Sequence, residues 1–219
     1  MLDVIEREAG EDIGASVIWL HGLGASGHDF EDIVPQLGLP ASLGVRFVFP
    51  HGPLRPVAIN DGYVMRAWYD VLGFDPETPQ DESGIRDSES EISALIEREK
   101  SRGVAPNRIV LAGFSQGGVM ALHTGLRHGE RLAGVLALSC YLALDDRIEA
   151  ERDSANATTP VFMAHGRYDD VVPVALGYAS YQRLAVLGQP VEWQEYPMGH
   201  EVISEEVTAI GRWLDFLLT

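Results

Sequence analysis

The chain predicts an α/β domain with a mostly parallel sheet and helices on both faces. Three observations carry this. Short β-rich runs alternate with longer helical stretches along the whole length. The middle runs are almost continuously apolar, as strands covered on both faces must be. No fixed-period repeat, linker or low-complexity tract divides the 219 residues, so one domain spanning 1–219 is expected.

In chain order, the expected strands lie at 17–20, 46–49, 108–111, 134–138, 160–164 and 191–194. Between the second and third, Ser88 and Glu91 have the spacing of a capping box, ahead of apolar Ile92, Leu95 and Ile96; Gly103 ends that helix. A second helix is expected from Val174 to Leu187, stopped by Gly188. The last starts near Ser204 and carries Val207, Ile210, Trp213, Leu214 and Leu217 on one stripe. Residues 50–84 fit neither period and read as an extended excursion over one end of the sheet, of the kind that builds lids or binding surfaces. The acidic stretch 75–99 reads as a solvated helix face and loop.

Composition excludes several classes of function. Apolar residues make up 46% and charged residues 22%, an ordinary globular balance. Asp and Glu number 33 against 16 Lys and Arg, a formal charge of −17. That excess argues against nucleic acid as partner, because phosphate affinity rests on clustered cations. It also argues against stable docking on anionic bilayers. The single cysteine, Cys140, rules out an intrachain disulfide and a multi-cysteine metal site; it ends an apolar strand and reads as a buried, inert thiol. The seven histidines have no metal-ligand spacing, so no metal is expected. With neither a basic, apolar leader nor a run of about 20 apolar residues, a cytoplasmic location is expected.

Two glycine motifs compete for the chemistry. Gly22, Gly24 and Gly27 spell the dinucleotide-binding G-x-G-x-x-G after the first expected strand. That reading needs a carboxylate about 20 residues on, at the end of the next strand, to hold the ribose. The strand ends instead in Phe49-Pro50-His51. The second motif, Gly113-Phe114-Ser115-Gln116-Gly117, lies between an expected strand and helix. Such a turn exposes a serine at the carboxyl edge of the sheet, with glycines where a β-carbon would clash.

A serine hydroxyl needs a base, and the base an orienting carboxylate. Downstream of Ser115, Asp169 follows the strand 160–164, with Asp170 beside it as a rival, and His200 follows the strand 191–194. The three groups come from three strand ends, in the order Ser, acid, His. The oxyanion of an acyl intermediate would be held by the backbone N–H of Gln116, the residue after the serine, and by that of Leu23 in the first glycine loop. His21 reads as an anchor for that loop. Trp68, Tyr69 and Leu72 are candidates for an apolar wall at the acyl site.

The runs Trp19-Leu20-His21-Gly22-Leu23-Gly24, Pro50-His51-Gly52-Pro53, Arg55-Pro56-Val57, Trp68-Tyr69-Asp70, Gly113-Phe114-Ser115-Gln116-Gly117-Gly118, Leu138-Ser139-Cys140 and Tyr196-Pro197-Met198-Gly199-His200 cover nearly the whole chain in order. With them the sequence resembles the phospholipase/carboxylesterase family of α/β-hydrolases. Within that resemblance the chain looks most like the bacterial carboxylesterase branch, and it is similar to the acyl-protein thioesterases. The resemblance implies a Ser115–Asp169–His200 triad and selects Asp169 over Asp170 through Gly166-x-x-Asp169-x-x-Val172-Pro173. It also implies oxyanion roles for Leu23 and Gln116. The implied activity is hydrolysis of short- to medium-chain acyl esters without a cofactor, with thioester or lysophospholipid hydrolysis as alternatives on the same site. A weak homodimer is compatible with it. The sequence departs from the family pattern at Met65-Arg66-Ala67-Trp68, where Met-Pro-Ser-Trp is common, which bears on the excursion beside the acyl site.

Overall fold

The computed structural model describes residues 2–73 and 78–219. The elements are β1 (Val4–Ala9), β2 (Ala15–Leu20), α1 (His28–Glu31), β3 (Val45–Pro50), β4 (Leu54–Val57), β5 (Tyr63–Arg66), α2 (Glu82–Ser101), β6 (Ile109–Phe114), α3 (Gln116–Arg127), β7 (Gly134–Leu138), α4 (Ile148–Glu151), β8 (Val161–Gly166), α5 (Val174–Val186), β9 (Val191–Tyr196) and α6 (Ser204–Leu218). Seven strands form one sheet in the order β1-β3-β2-β6-β7-β8-β9. Among the described strands of this sheet only β1 runs antiparallel, on β3.

Alternation along the buried strands feeds two cores. On β2, Ile18 and Leu20 join α2 and α3 residues such as Ile92, Leu95, Val119 and Leu122 on one face. Val17 and Trp19 join Ile210, Trp213 and Leu214 of α6 on the other. Both sheet faces are therefore covered, which is why β2, β3, β6, β7 and β8 have no solvated side. The order reverses at β2, which has β3 on one side and β6 on the other. Crevices above the carboxyl ends of strands open at such reversals.

Four features differ from the sequence expectation. The edge strand β1 escapes pattern reading because Glu6, Arg7 and Glu8 occupy its middle. The excursion is partly ordered as the β4–β5 hairpin. Helix α2 starts at Glu82, not at Ser88: the Asp81 carboxylate caps it by accepting the Gly84 N–H (3.0 Å). Ser88 is buried inside the helix and its hydroxyl donates to the Trp68 carbonyl. The acidic stretch is not wholly solvated either. Glu99 is fully buried, accepting from Ser16 Oγ (2.6 Å), Arg46 (3.0 Å) and Arg102 (2.9 Å), while residues 75–77 lie outside the described part. Among the described residues no helix is long and apolar enough to cross a membrane.

Candidate active site

Ser115 sits between the end of β6 and the start of α3 with φ 55° and ψ −124°, a conformation that costs an L residue energy and persists only where its surroundings enforce it. They do so through close packing. A Cβ on Gly113 would lie 2.2 Å from Gly117, and one on Gly117 would lie 2.2 Å from the Leu20 carbonyl oxygen. The Ser115 N–H also donates to the Leu138 carbonyl of β7 (2.8 Å). The hydroxyl is thereby lifted above the sheet at the β2/β6 reversal.

Three side chains meet there. His200 Nε2 lies 2.9 Å from Ser115 Oγ, and His200 Nδ1 lies 2.7 Å from Asp169 Oδ2. Asp169 is fully buried at its carboxylate, whose other oxygen accepts the N–H groups of Val171 (3.0 Å) and Val172 (2.8 Å). Asp170 is exposed and takes no part. The Phe114 ring packs 4.7 Å from that of His200 and restrains its swing.

Leu23 and Gln116 flank Ser115 and line a slot with it. Among the described residues neither N–H meets an acceptor, so both donors are free for an anionic oxygen. The Gln116 side chain turns the other way. Its Oε1 accepts the Trp68 N–H (2.8 Å) and its Nε2 donates to the Tyr69 carbonyl (2.7 Å), clasping the excursion to the start of α3. His21 anchors the neighbouring loop: Nε2 accepts the Gly52 N–H (2.9 Å), so Nδ1 carries the proton toward the Gly22 carbonyl (2.7 Å). Burial lowers its pKa to about 4, which leaves it neutral and structural.

The apolar-wall candidates separate. Trp68 is fully buried, its indole N–H donates to the His21 carbonyl (2.9 Å), and it lines neither cavity at Ser115. Leu72 is exposed and, among the described residues, lines neither one. Tyr69, with Val71, does line the slot, and its hydroxyl bonds that of Tyr141 (3.1 Å). Val71 and Tyr141 also line it, and nothing local in the sequence marks them, because they meet the serine only in the fold. Arg66 reaches the Gly52 carbonyl (2.9 Å) and its own carbonyl accepts the Gly24 N–H (2.8 Å), so it braces the glycine loop and does not line the slot.

Among the described residues, two spaces adjoin Ser115. A cavity of about 470 Å³ is bordered by Ala25, Asp29, Phe30, Phe114, His200 and Glu201, among others. The slot, about 50 Å³, is bordered by Leu23, Tyr69, Val71, Gln116, Tyr141, Val171 and Val172. Elsewhere, Glu97, His128 and Glu130 converge within 4.8 Å among the described residues. The Lys100 ammonium bonds both carboxylates and takes the place a cation would fill. Cys140 is buried, and desolvation pushes its thiol pKa upward, away from reactivity.

A family model described as Phospholipase/Carboxylesterase matches residues 4–218. Acyl-protein thioesterase 1 of Neurospora crassa is 39% identical over 209 residues, covering 91% of this chain and 85% of that protein. Acyl-protein thioesterase 1 of Gibberella zeae is 38% identical over 209 residues, covering 91% and 89%. Among solved structures, Arabidopsis thaliana SOBER1 superposes with a TM-score of 0.89 at 31% identity, covering 94% of this chain and 99% of that one. Sequence, sheet order and likeness agree: the chain is a hydrolase-fold enzyme that belongs to the phospholipase/carboxylesterase family.

Proposed function

We propose that the chain is a serine carboxylesterase acting through Ser115, His200 and Asp169. The observation that carries this is the continuous relay of hydrogen-bond contacts from Asp169 Oδ2 to His200 Nδ1 (2.7 Å) and from His200 Nε2 to Ser115 Oγ (2.9 Å). His200 takes the hydroxyl proton as Ser115 Oγ bonds the acyl carbon. Asp169 holds the Nδ1–H tautomer and stabilises the imidazolium. The carbonyl oxygen, now anionic, accepts from the N–H groups of Leu23 and Gln116. As the tetrahedral intermediate collapses, His200 returns the proton to the leaving oxygen. Water, activated by the same imidazole, then releases the acid and restores Ser115.

The two spaces divide the substrate. The group receiving a proton from His200 must lie on His200's side, and His200 borders only the wide cavity. The alcohol therefore leaves through the wide cavity and the acyl tail enters the slot. The slot's size and its bonded Tyr69–Tyr141 wall leave room for a short tail only. Asp29 and Glu201, with no Lys or Arg among the wide cavity's lining, favour a neutral or cationic leaving group. That disfavours anionic lysolipid.

The test is hydrolysis of p-nitrophenyl esters of rising acyl length, with Ser115→Ala beside the wild type. Esters of about two to four acyl carbons should be turned over fastest, with a loss of roughly 10³-fold or more in Ser115→Ala. Full activity in that variant would overturn the mechanism, and a flat length profile would overturn the slot assignment. A second reading, thioester hydrolysis, is favoured by relatives that bear the name acyl-protein thioesterase. It uses the same acyl-enzyme, and an acyl-thioester series matched in length decides it by kcat/KM.

A further inference from the structure

A second histidine lies beneath the acid. His165, near the end of β8, is fully buried. Its Nε2 is 2.8 Å from the Val172 carbonyl oxygen and 3.4 Å from Asp169 Oδ2, the oxygen that His200 uses. A carbonyl can only accept, so Nε2 carries the proton and Nδ1 is a bare lone pair. No partner meets Nδ1 among the described residues. It faces Gly177 of α5, where a Cβ would stand 2.4 Å away. The Trp193 ring packs against the imidazole at 5.9 Å.

We infer that His165 is a positioning residue for the acid–base pair, folding the 166–172 loop around its ring and dividing the charge of Asp169 Oδ2 between itself and His200. This rests on the esterase reading for its functional meaning, but the placement is independent of substrate. The loop meets the ring through the Val172 carbonyl, which accepts from Nε2, and is closed on itself by Asp169 Oδ1, which takes the Val171 and Val172 N–H groups. The same loop is stitched to the one bearing His200 by Arg167 N–H to the Tyr196 carbonyl (2.9 Å) and Tyr168 N–H to the Met198 carbonyl (3.0 Å). Moving the ring therefore moves both partners of the pair.

The ring stays a neutral donor. A second proton would sit on Nδ1, pressed against Gly177 without an acceptor, and burial lowers the pKa. The groups facing it are few. The acid loop gives Asp169, the following loop gives His200, and β9 gives Glu195, itself engaged by Trp193 Nε1 (3.0 Å) and Arg167 (3.3 Å). The only charged side chain of α5, Arg183, pairs with Glu149.

The test follows the imidazoles by nitrogen-15 NMR in the whole protein, without substrate. In the wild type, His165 should show the Nε2–H tautomer and be neutral at about pH 7. An Nδ1–H tautomer, or a doubly protonated ring at that pH, overturns the inference without any variant. In His165→Leu, Asp169 Oδ2 faces His200 alone, so the acid limb of the kcat/KM profile should move to higher pH by about 0.5–1 unit. In the same variant kcat should fall about 10- to 100-fold with KM little changed. His165→Gln, which keeps a donor near Nε2, should restore the profile. An unmoved acid limb in His165→Leu, or a His165→Gln as displaced as His165→Leu, overturns the inference. Failure of the esterase reading shows separately, as undiminished turnover in Ser115→Ala.

Discussion

At Ser115 a residue accepts an unfavourable backbone so that its hydroxyl stands clear of the sheet. The strain is held by neighbours that approach more closely than a side chain allows, which makes the flanking glycines sensitive. Gly117→Ala would drive a Cβ to 2.2 Å from the Leu20 carbonyl, the last residue of β2. Turnover should fall by at least about 100-fold, because displacing the turn misaligns Oγ and the Gln116 N–H together; near-normal kcat would show that the packing has slack. Gln116→Ala is subtler. It keeps the backbone donor but releases Trp68 and Tyr69, so kcat should drop roughly tenfold while the preference for short acyl chains broadens, read from the ester-length series. How the site reads from sequence follows the same logic. Ser115 and His200 are marked locally by strand ends and glycines; the same marks leave Asp169 and Asp170 as rivals until the family resemblance selects Asp169, and the structure brings Ser115, Asp169 and His200 within hydrogen-bond reach. The Gln116 clasp and the place of His165 depend on partners from other segments, and no local pattern reveals them. Trp68 has the composition of a binding wall, yet its N–H is spent on His21, buried beneath the site.

Among the elements, α2 shows where pattern reading stops. Its interior was legible because Ile92, Leu95 and Ile96 repeat on one face, but its start was not, since Ser88–Glu91 offers the same spacing as a real cap. Asp81 is the cap, and it also accepts the Asp70 N–H (2.9 Å), tying the excursion to the helix. Asp81→Ala should cost about 1 kcal/mol in urea unfolding. Glu99→Ala should cost more, about 3 kcal/mol, because it removes one of the two carboxylates held by the buried Arg46 guanidinium, leaving only Glu8 (3.0 Å). β1 escaped for the opposite reason: an edge strand needs charge on its exposed face, and that charge erases the period. The start of α6 holds a further test. Glu206 is fully buried, and desolvation raises its pKa to about 8. Between about pH 4.5 and 8 the folded chain keeps a proton that the unfolded chain has released, so this group makes stability fall as pH rises through that window. Glu206→Gln should remove that slope. The variant's Tm should equal the wild type's near pH 4.5 and exceed it by several degrees at pH 8.5, and an unchanged difference across the range would refute the assignment.

For the whole molecule, charge is the property that no single element explains. The formal −17 is spread over a surface whose cations are largely paired: Arg7 with Glu31, Arg86 with Glu151, Arg98 and Arg102 with Glu6, Arg147 with Glu82. Pairing leaves the carboxylate excess to set the outer field. Two consequences separate by ionic strength. Self-repulsion should weaken the folded state at low salt, so Tm should rise between about 10 and 300 mM NaCl. The same field acts on substrates approaching the wide cavity, where Asp29 and Glu201 add local charge without a balancing cation among the lining residues. A cationic ester should then show a higher kcat/KM than an anionic ester of equal acyl length at 10 mM salt, by roughly 10-fold or more. Screening shortens the reach of the field from about 30 Å at 0.01 M to about 3 Å at 1 M. The ratio should accordingly shrink toward its contact value as salt rises, through kcat/KM and not kcat. A ratio independent of salt would place the discrimination in direct contact with Asp29 or Glu201, and Asp29→Asn or Glu201→Gln, according to which makes the contact, would then abolish it. A preference for the anionic ester at low salt would contradict both the field and the assignment of the leaving group to that cavity.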